Sequence, residues 1–478
     1  MHRFGPGRLV AAALAFAVVL GACSGGTGKE SAGGVSGSNS ASDATSTTDA
    51  PSTDGGSGTS APTSAGGSRS ATTITSPSGV QVNIPRSGGP PVADLFTAAE
   101  DKIGITDDKI VFCGHAATTF GPAFNTSEAD LNVYWEEVGK IHGRTVELTF
   151  ENDNYDPTTA RQAAQACYDK KPFILFGGIG FDQIPAVRKF AEDKHVLYYH
   201  HIAAADNTKK YSFNPLPSVE QVGTFAGEWV GTKYKAKKIG VIYRESENWE
   251  PGHKTFLSTV RSLGGNVVVD VGVTKNQGSY LTEINELRSK GAQVVFIWEN
   301  ALAATAILQE AKGQNYSPKF IVFPFNISTD AWGNQALNPP VDGIAVWPAY
   351  SPGDYSGPFA SYASEIKKME QVYERRRPAI EVTDIHWQVW LFYRDLHRLL
   401  EQCGRDCTRN KILGISLAKP IAFSQTTPSC PVDFTRNGHV GGFWATMFTA
   451  YRKPNGEAGW RHVPNYVCRE SFRGGSGE

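Results

Sequence analysis

Thr145-Val-Glu-Leu-Thr-Phe150, Phe173-Ile-Leu-Phe176 and His195-Val-Leu-Tyr-Tyr-His-His-Ile202 are three strand-like runs separated by two helix-like ones. The first alternates β-branched and apolar residues with polar ones, then enters the turn-rich Glu151-Asn-Asp-Asn-Tyr-Asp-Pro157, a strand end followed by a helix start. From Thr158 to Lys170, Ala160, Ala163, Ala164 and Cys167 recur at the spacing of one small apolar helix face. Phe173 to Phe176 is apolar throughout, as suits a parallel strand covered on both faces, and it runs into Gly177-Gly-Ile-Gly180. A helix from Asp182 to Lys194 turns Ile184, Val187 and Phe190 to the sheet, and the third strand ends at Ala203-Ala-Ala205. Two successive crossovers make a doubly wound parallel sheet, in which ligands bind beyond the carboxyl ends of the strands.

The same rhythm precedes and follows this stretch. Lys109-Ile-Val-Phe-Cys113 leads into a Gly, Thr and Pro loop and a helix expected from about Glu128 to His142. After Ser218 come a helix to Tyr234, the strand Lys238 to Tyr243, a helix from Lys254 to Leu263 and the strand Asn266 to Val271. Then follow a helix from Tyr280 to Lys290, the strand Gln293 to Trp298, a helix from Ala301 to Lys312 and the strand Lys319 to Phe323. The fold class is therefore α/β, with two doubly wound parallel-sheet lobes and a ligand cleft between them. Further on, Val341 to Trp347 reads as a strand, and Phe359 to Arg375 and Thr383 to Glu401 as helices. Trp387, Trp390, Leu391, Leu396 and Leu400 read as core on the last of these. Pro431 to Phe434 and Gly442 to Tyr451, with Trp460 after a Pro-Asn-Gly turn, read as terminal strands joined by a hairpin.

Residues 1–22 read as an export signal, with Arg3 and Arg8 before an apolar run from Leu9 to Leu20 that is too short to span a bilayer comfortably. Residues 23–95 are largely Ser, Gly, Thr, Ala and Asp and cannot bury enough surface to offset chain entropy, so they are expected to form a flexible tether. No second long apolar run follows, which leads us to expect a soluble body. The 46 basic and 47 acidic residues balance to a net charge of −1 without a basic stripe, which argues against a nucleic-acid partner.

Leu20-Gly-Ala-Cys23 resembles the lipobox of bacterial lipoproteins, which implies cleavage before Cys23 and its acylation, hence a lipid-anchored, extracytoplasmic protein. Lys109-Ile-Val-Phe with its loop, Glu151 to Ala160, Phe176-Gly-Gly, and Lys238-Ile-Gly-Val-Ile-Tyr with Gly252 together resemble the type I periplasmic solute-binding proteins, the leucine/isoleucine/valine-binding branch of ABC transporter receptors. The resemblance covers about Asp107 to Val463. It implies lobes of 96–217 with 351–430 and 218–350 with 431–470, closing on a small molecule like a hinged trap and passing it to an ABC permease. The implied solute is an amino acid, an amide, or an aromatic or apolar acid. A ligand sensor of the same fold without a transporter is the alternative, and an α/β enzyme a more distant one.

Topology and resemblance together mark the strand ends as the ligand site. In the first lobe these are His115, Thr118 and Thr119, then Gly178, Gly180 and Phe181, then Ala203 and Ala204; in the second they are Asn248 and Trp249, Trp298 and Glu299, and Phe325 with Asn326. Trp249 stands where leucine-binding relatives carry a ring over the substrate, and Glu299 either pairs with a ligand amine or caps the next helix. Relatives that bind amino acids hold the carboxylate with a Ser and an Ala-x-Thr. Here those places read Gly177-Gly-Ile-Gly180 and Ala203-Ala-Ala205, without a hydroxyl. No nucleophile elbow, zinc-binding helix, dinucleotide fingerprint or complete phosphate loop is present, so neither a cofactor nor a metal is expected. His115, His200 or His201 with Asp182 is a candidate acid/base pair, though a core histidine is the stronger reading. With Cys23 committed to lipid, three disulfides are the economical reading for Cys113, Cys167, Cys403, Cys407, Cys430 and Cys468. The expected pairs are Cys113 with Cys167, Cys403 with Cys407, and Cys430 with Cys468. The alternative pairs Cys403 or Cys407 with Cys430 and leaves the other to Cys468.

Overall fold

The computed structural model describes residues 72–75, 81–84, 95–118, 127–177, 182–200, 209–275, 277–323, 340–346, 360–380, 382–418, 432–436, 439–454, 456 and 458–473. All of them belong to one compact unit, residues 67–478. A short hairpin, β1 (Thr72–Thr75) with β2 (Gln81–Ile84), precedes the two lobes. The expected tether takes in this hairpin, so Thr72 to Thr75 and Gln81 to Ile84 depart from a featureless segment.

The first sheet is built from β3 (Lys109–Ala116), β4 (Lys140–Ile141), β5 (Arg144–Asn152), β6 (Ile174–Gly177), β7 (Tyr198–His200) and β8 (Ser212–Phe213). Its order is β4-β5-β3-β6-β7-β8, parallel except for β4 on the edge. Register brings Ala116 opposite Asn152 and His115 opposite Gly177, so the carboxyl ends of three strands finish level. Helices α1 (Glu128–Leu131) and α2 (Val133–Val138) stand where one helix to His142 was expected. Gly139 at φ 72 ends α2, and His142 and Gly143, at φ 47 and 84, turn the chain back as the β4–β5 hairpin. A left-handed pair is incompatible with continued helix, whatever the apolar spacing.

On one face of this sheet lie α3 (Pro157–Asp169) and α4 (Ile184–Lys194). Asp156 caps α3 by accepting from the Thr159 N–H, and Pro157 takes the first helical position, where its missing donor costs nothing. Ala160, Ala164 and Cys167 pack with Leu175, Val187 and Tyr198, and a disulfide from Cys113 to Cys167 joins β3 to α3. His195 ends α4 in the left-handed region, at φ 51, so the third strand starts at Tyr198.

The second sheet alternates with α5 (Val219–Lys233), α6 (Glu250–Ser262), α7 (Leu281–Ser289) and α8 (Ala301–Gly313). Its parallel strands are β9 (Lys238–Arg244), β10 (Asn266–Val273), β11 (Val294–Trp298), β12 (Lys319–Val322) and β13 (Asp342–Ala345), in the order β10-β9-β11-β12-β13. The antiparallel β14 (Thr446–Arg452) and β15 (Ala458–His462) then extend it through β13. Helix α5 approaches α6 so closely that a Cβ on Gly223 would stand 2.0 Å from the Gly252 carbonyl oxygen. Both lobes are thus mixed sheets whose parallel core is covered by helices.

Between β13 and β14 come α9 (Ala360–Arg376), α10 (Asp384–Cys403) and α11 (Arg409–Ala418). Trp387, Trp390, Leu391, Leu396 and Leu400 are all buried, and Tyr134 of α2 meets Trp390 edge-on at 4.8 Å. Cys403 and Cys407 are disulfide-bonded across Gly404, which has φ 76. Cys468 is disulfide-bonded too, whereas Cys430 and Cys23 lie outside the described residues. The sequence reading lacked α11, which Arg409 ties to the first lobe by donating to the carbonyls of Pro172, Phe173 and Glu100. It also placed a strand at Pro431 to Phe434. There, Val432 to Arg436 form no named strand, and the neighbouring pairing is an isolated bridge from Asn214 to Val440. Among the described residues, no helix is long and apolar enough to cross a membrane.

Candidate functional site

A cavity of about 840 Å³ lies between the lobes. Asp182, Arg188 and Lys189 line it from the first lobe, and Arg244, Asn248 and Lys275 from the second. Its centre is a charge network that crosses from one lobe to the other. Arg244 is the last residue of β9 and is 1% exposed. Its Nε donates to Glu299 Oε1 at 2.8 Å, and its Nη1 donates to Asp182 Oδ2 across the cleft. The Trp249 indole N–H donates to the other oxygen of Asp182 at 2.6 Å, so one first-lobe carboxylate holds two second-lobe groups. Lys275 adds a third tie. Its ammonium stands 3.9 Å from Asp182 and donates to the Tyr155 carbonyl at 2.5 Å.

Burial sets the electrostatics here. Glu299 is fully buried, which pushes its carboxyl up to about 7 against the pull of Arg244. For Arg244, desolvation works against the charge, but Glu299, Tyr155 and Asp182 outweigh it and raise its pKa. The Tyr155 hydroxyl is raised well above its usual range, first by burial and then by Asp182.

A second layer fixes the first-lobe side. Asn154 and Tyr155 hold φ of 50 and 58, uncommon for residues other than glycine, in a turn closed by Asp153 Oδ1 accepting from the Tyr155 N–H. Asp153 Oδ2 also accepts from Gln183 Nε2 at 3.0 Å and lies 2.7 Å from His115 Nδ1. A carboxylate only accepts, so Nδ1 carries a proton, and Nε2 lies 2.7 Å from the Tyr198 hydroxyl. Gln183 adjoins Asp182, so this buried chain orients the residue that meets the other lobe.

The structure gathers some of the sequence-expected residues and separates others. Asn248 lines the cavity. Trp249 and Trp298 are fully buried in an aromatic cluster with Phe323, and Trp298 donates its indole N–H to the Trp249 carbonyl. Glu299 accepts from Arg244 through Oε1 and from the Asn300 N–H, at the start of α8, through Oε2, while the α8 cap itself is Asn300, accepting from the Ala303 N–H. His115 pairs with Asp153 and not with Asp182. Thr118 is half-buried just after β3. Thr119, Gly178, Gly180, Phe181, His201, Ala203, Ala204, Phe325 and Asn326 lie outside the described residues. The sequence reading missed Asp153, Arg244 and Lys275. Arg244 had a signal, as a charged residue ending an otherwise apolar parallel strand. Among the described residues, no cluster of three or more His, Cys, Asp or Glu is arranged to hold a metal.

A family model described as periplasmic binding protein matches residues 102–450. A leucine-, isoleucine-, valine-, threonine- and alanine-binding protein from Pseudomonas aeruginosa is 22% identical over 189 residues, 39% of this chain and 51% of that one. The chain spans about half the length of the curated relatives it matches. Among solved structures, a fatty acid ABC transporter substrate-binding protein from Thermomonospora curvata aligns with a TM-score of 0.62 at 15% identity, over 77% of this chain and 94% of that one. A solute-binding protein of an ABC transporter from Rhodopseudomonas palustris, in complex with 3,4-dihydroxybenzoic acid, aligns with a TM-score of 0.60 at 13% identity, over 76% and 98%. These matched proteins are described as binding proteins.

Proposed function

Because the chain belongs to the periplasmic binding proteins, we propose that it is an extracytoplasmic receptor that captures a small solute between its lobes, passes it to an ABC permease, and is anchored through a lipid on Cys23. The observation that carries the reading is the interlobe cavity whose walls are joined through Asp182 to Arg244 and Trp249. Such contacts exist only when the lobes are together, so they add to whatever a solute contributes to closure. The first lobe would comprise 96–217 with 351–430 and the second 218–350 with 431–470. The solute class is an amino acid, an amide, or an aromatic or apolar acid. The branched-chain amino acids and the dihydroxybenzoic acid named for the compared proteins support that range. Calorimetric titration of the full chain with leucine, benzoate and benzamide tests it. One of the three is expected to bind in the micromolar range, and heat-silent titrations with all three would overturn the solute class. Cys23→Ser is expected to move the protein from the membrane to the soluble fraction, and an unchanged membrane fraction would refute the anchor.

A further inference from the structure

Helix α10 runs along the first sheet with its C-terminal end at the amino ends of the strands. Arg405, just past the helix, receives the Nη1 of Arg144 on its carbonyl at 2.6 Å, and Arg144 begins β5. Further up the helix, Phe392 packs edge-on against Phe176 at 4.6 Å, and Phe176 is the penultimate residue of β6. Gln388 lies one turn closer to the helix start than Phe392. It is therefore about 6 Å further toward the carboxyl ends of the strands, on the same helix face as Phe392. That places it at the cleft end of the first lobe, on the opposite face of the sheet from α3 and α4. Gln388 is 4% exposed, and among the described residues neither atom of its amide has a hydrogen-bond partner. Tyr393, whose ring also meets Phe176 at 5.5 Å, is fully buried with its hydroxyl likewise unpartnered. Folded chains rarely leave such groups unmatched, and those that remain call for a use.

We propose that Gln388 is a solute-recognising residue that pairs with a neutral end group carrying a donor beside an acceptor. The proposal rests on the solute-binding reading above. A side-chain amide presents one acceptor and two donors in a plane, so a primary amide satisfies it on both sides. A carboxylate, which only accepts, leaves Oε1 unmatched. Phe176, Phe392 and Tyr393 nearby suit an apolar or aromatic body, so the class is an aromatic or apolar amide.

Benzamide and benzoate, equal in shape, separate the possibilities, with leucine as the third probe and the full chain as the protein. Wild type is expected to bind benzamide at least about tenfold more tightly than benzoate at pH 7, and Gln388→Met to weaken benzamide by about 10- to 100-fold. The variant's melting temperature is expected to hold or rise, because an unmatched buried amide is replaced by an apolar chain of similar length. Should Gln388→Met not fold, Gln388→Leu carries the same reading. Unchanged benzamide affinity in the variant, or a wild-type preference for benzoate, overturns the assignment. Binding of leucine alone would overturn it while leaving the solute-binding reading intact. Failure of all three probes would remove both.

Discussion

Arg244→Met removes the charge that the cleft is built around while keeping most of the side chain's length. In the native protein that guanidinium reaches Glu299 of its own lobe and Asp182 of the other, and sits 5.6 Å from the centre of the Trp249 ring. Removing one member of a buried pair strands its partner, at a cost of about 3 to 5 kcal/mol. The cost depends on pH in a direction that follows from Glu299. Its carboxyl titrates near 7 when folded and near 4.5 when free, so the stability tied to its proton is complete below 4.5 and lost as pH rises through 7. Without Arg244 the folded value rises further, because the charge and hydrogen bonds that do most to hold it down are gone and only the Asn300 N–H remains, and the loss extends to higher pH. The variant is therefore expected to show its smallest deficit at pH 5, where Glu299 is protonated and the lost tie to Asp182 is what remains. It should fall behind by about 1.4 kcal/mol per pH unit above neutrality, until the carboxyl ionises in the folded variant as well. Urea denaturation at pH 5, 7 and 8.5 reads this directly. The double variant Arg244→Met with Glu299→Leu is expected to recover the pH-dependent part of the loss, since replacing Arg244 and Glu299 together by apolar groups leaves no stranded Glu299 carboxylate. A deficit below about 1 kcal/mol at pH 8.5, or one equal at all three pH values, would refute the reasoning.

Trp249→Phe keeps the ring packing and deletes the indole N–H to Asp182, so calorimetry should find a loss of about 1.5 to 3 kcal/mol; no loss would mean the bond adds nothing to the closed arrangement. The Cys113–Cys167 and Cys403–Cys407 disulfides close loops of very different span, 54 and 4 residues, so on the chain-entropy model replacing the first pair by Ala should cost about 4 kcal/mol and replacing the second about 2. The reverse order in urea melts would contradict that account. His462 is buried against Phe448, and burial holds its pKa down to about 3, below the ordinary 6.5. Its contribution is complete above 6.5 and lost as pH falls toward 3, so between pH 7 and pH 5 wild type should lose about 2 kcal/mol that His462→Phe retains. Parallel acid profiles for the two proteins would exclude it.

Much of the lobe architecture can be read from the residues because parallel strands buried on both faces leave short apolar runs, as at Phe173 to Phe176 and Gln293 to Trp298. Helix ends were less legible where glycine overrides spacing, as at Gly139 and Gly143. The site was harder still. Arg244 and Asp182 are 62 residues apart, and His115 and Asp153 are 38 apart. No spacing rule pairs charges across two lobes. Trp249 shows the same limit, since its position after a strand end is visible in the sequence, while its burial against Trp298 and Phe323 depends on side chains from two other strand ends.

Closure of the two lobes on a solute is most directly tested by a distance measured between them. Spin labels at Gln162 on α3 and Lys254 on α6, both exposed, span the cleft without lining the cavity. Pulsed electron resonance on the full chain, with and without saturating concentrations of the solute found by titration, should show a broad distribution narrowing to one shorter distance on binding. A distribution that stays the same while titration shows the solute bound would contradict capture by lobe closure.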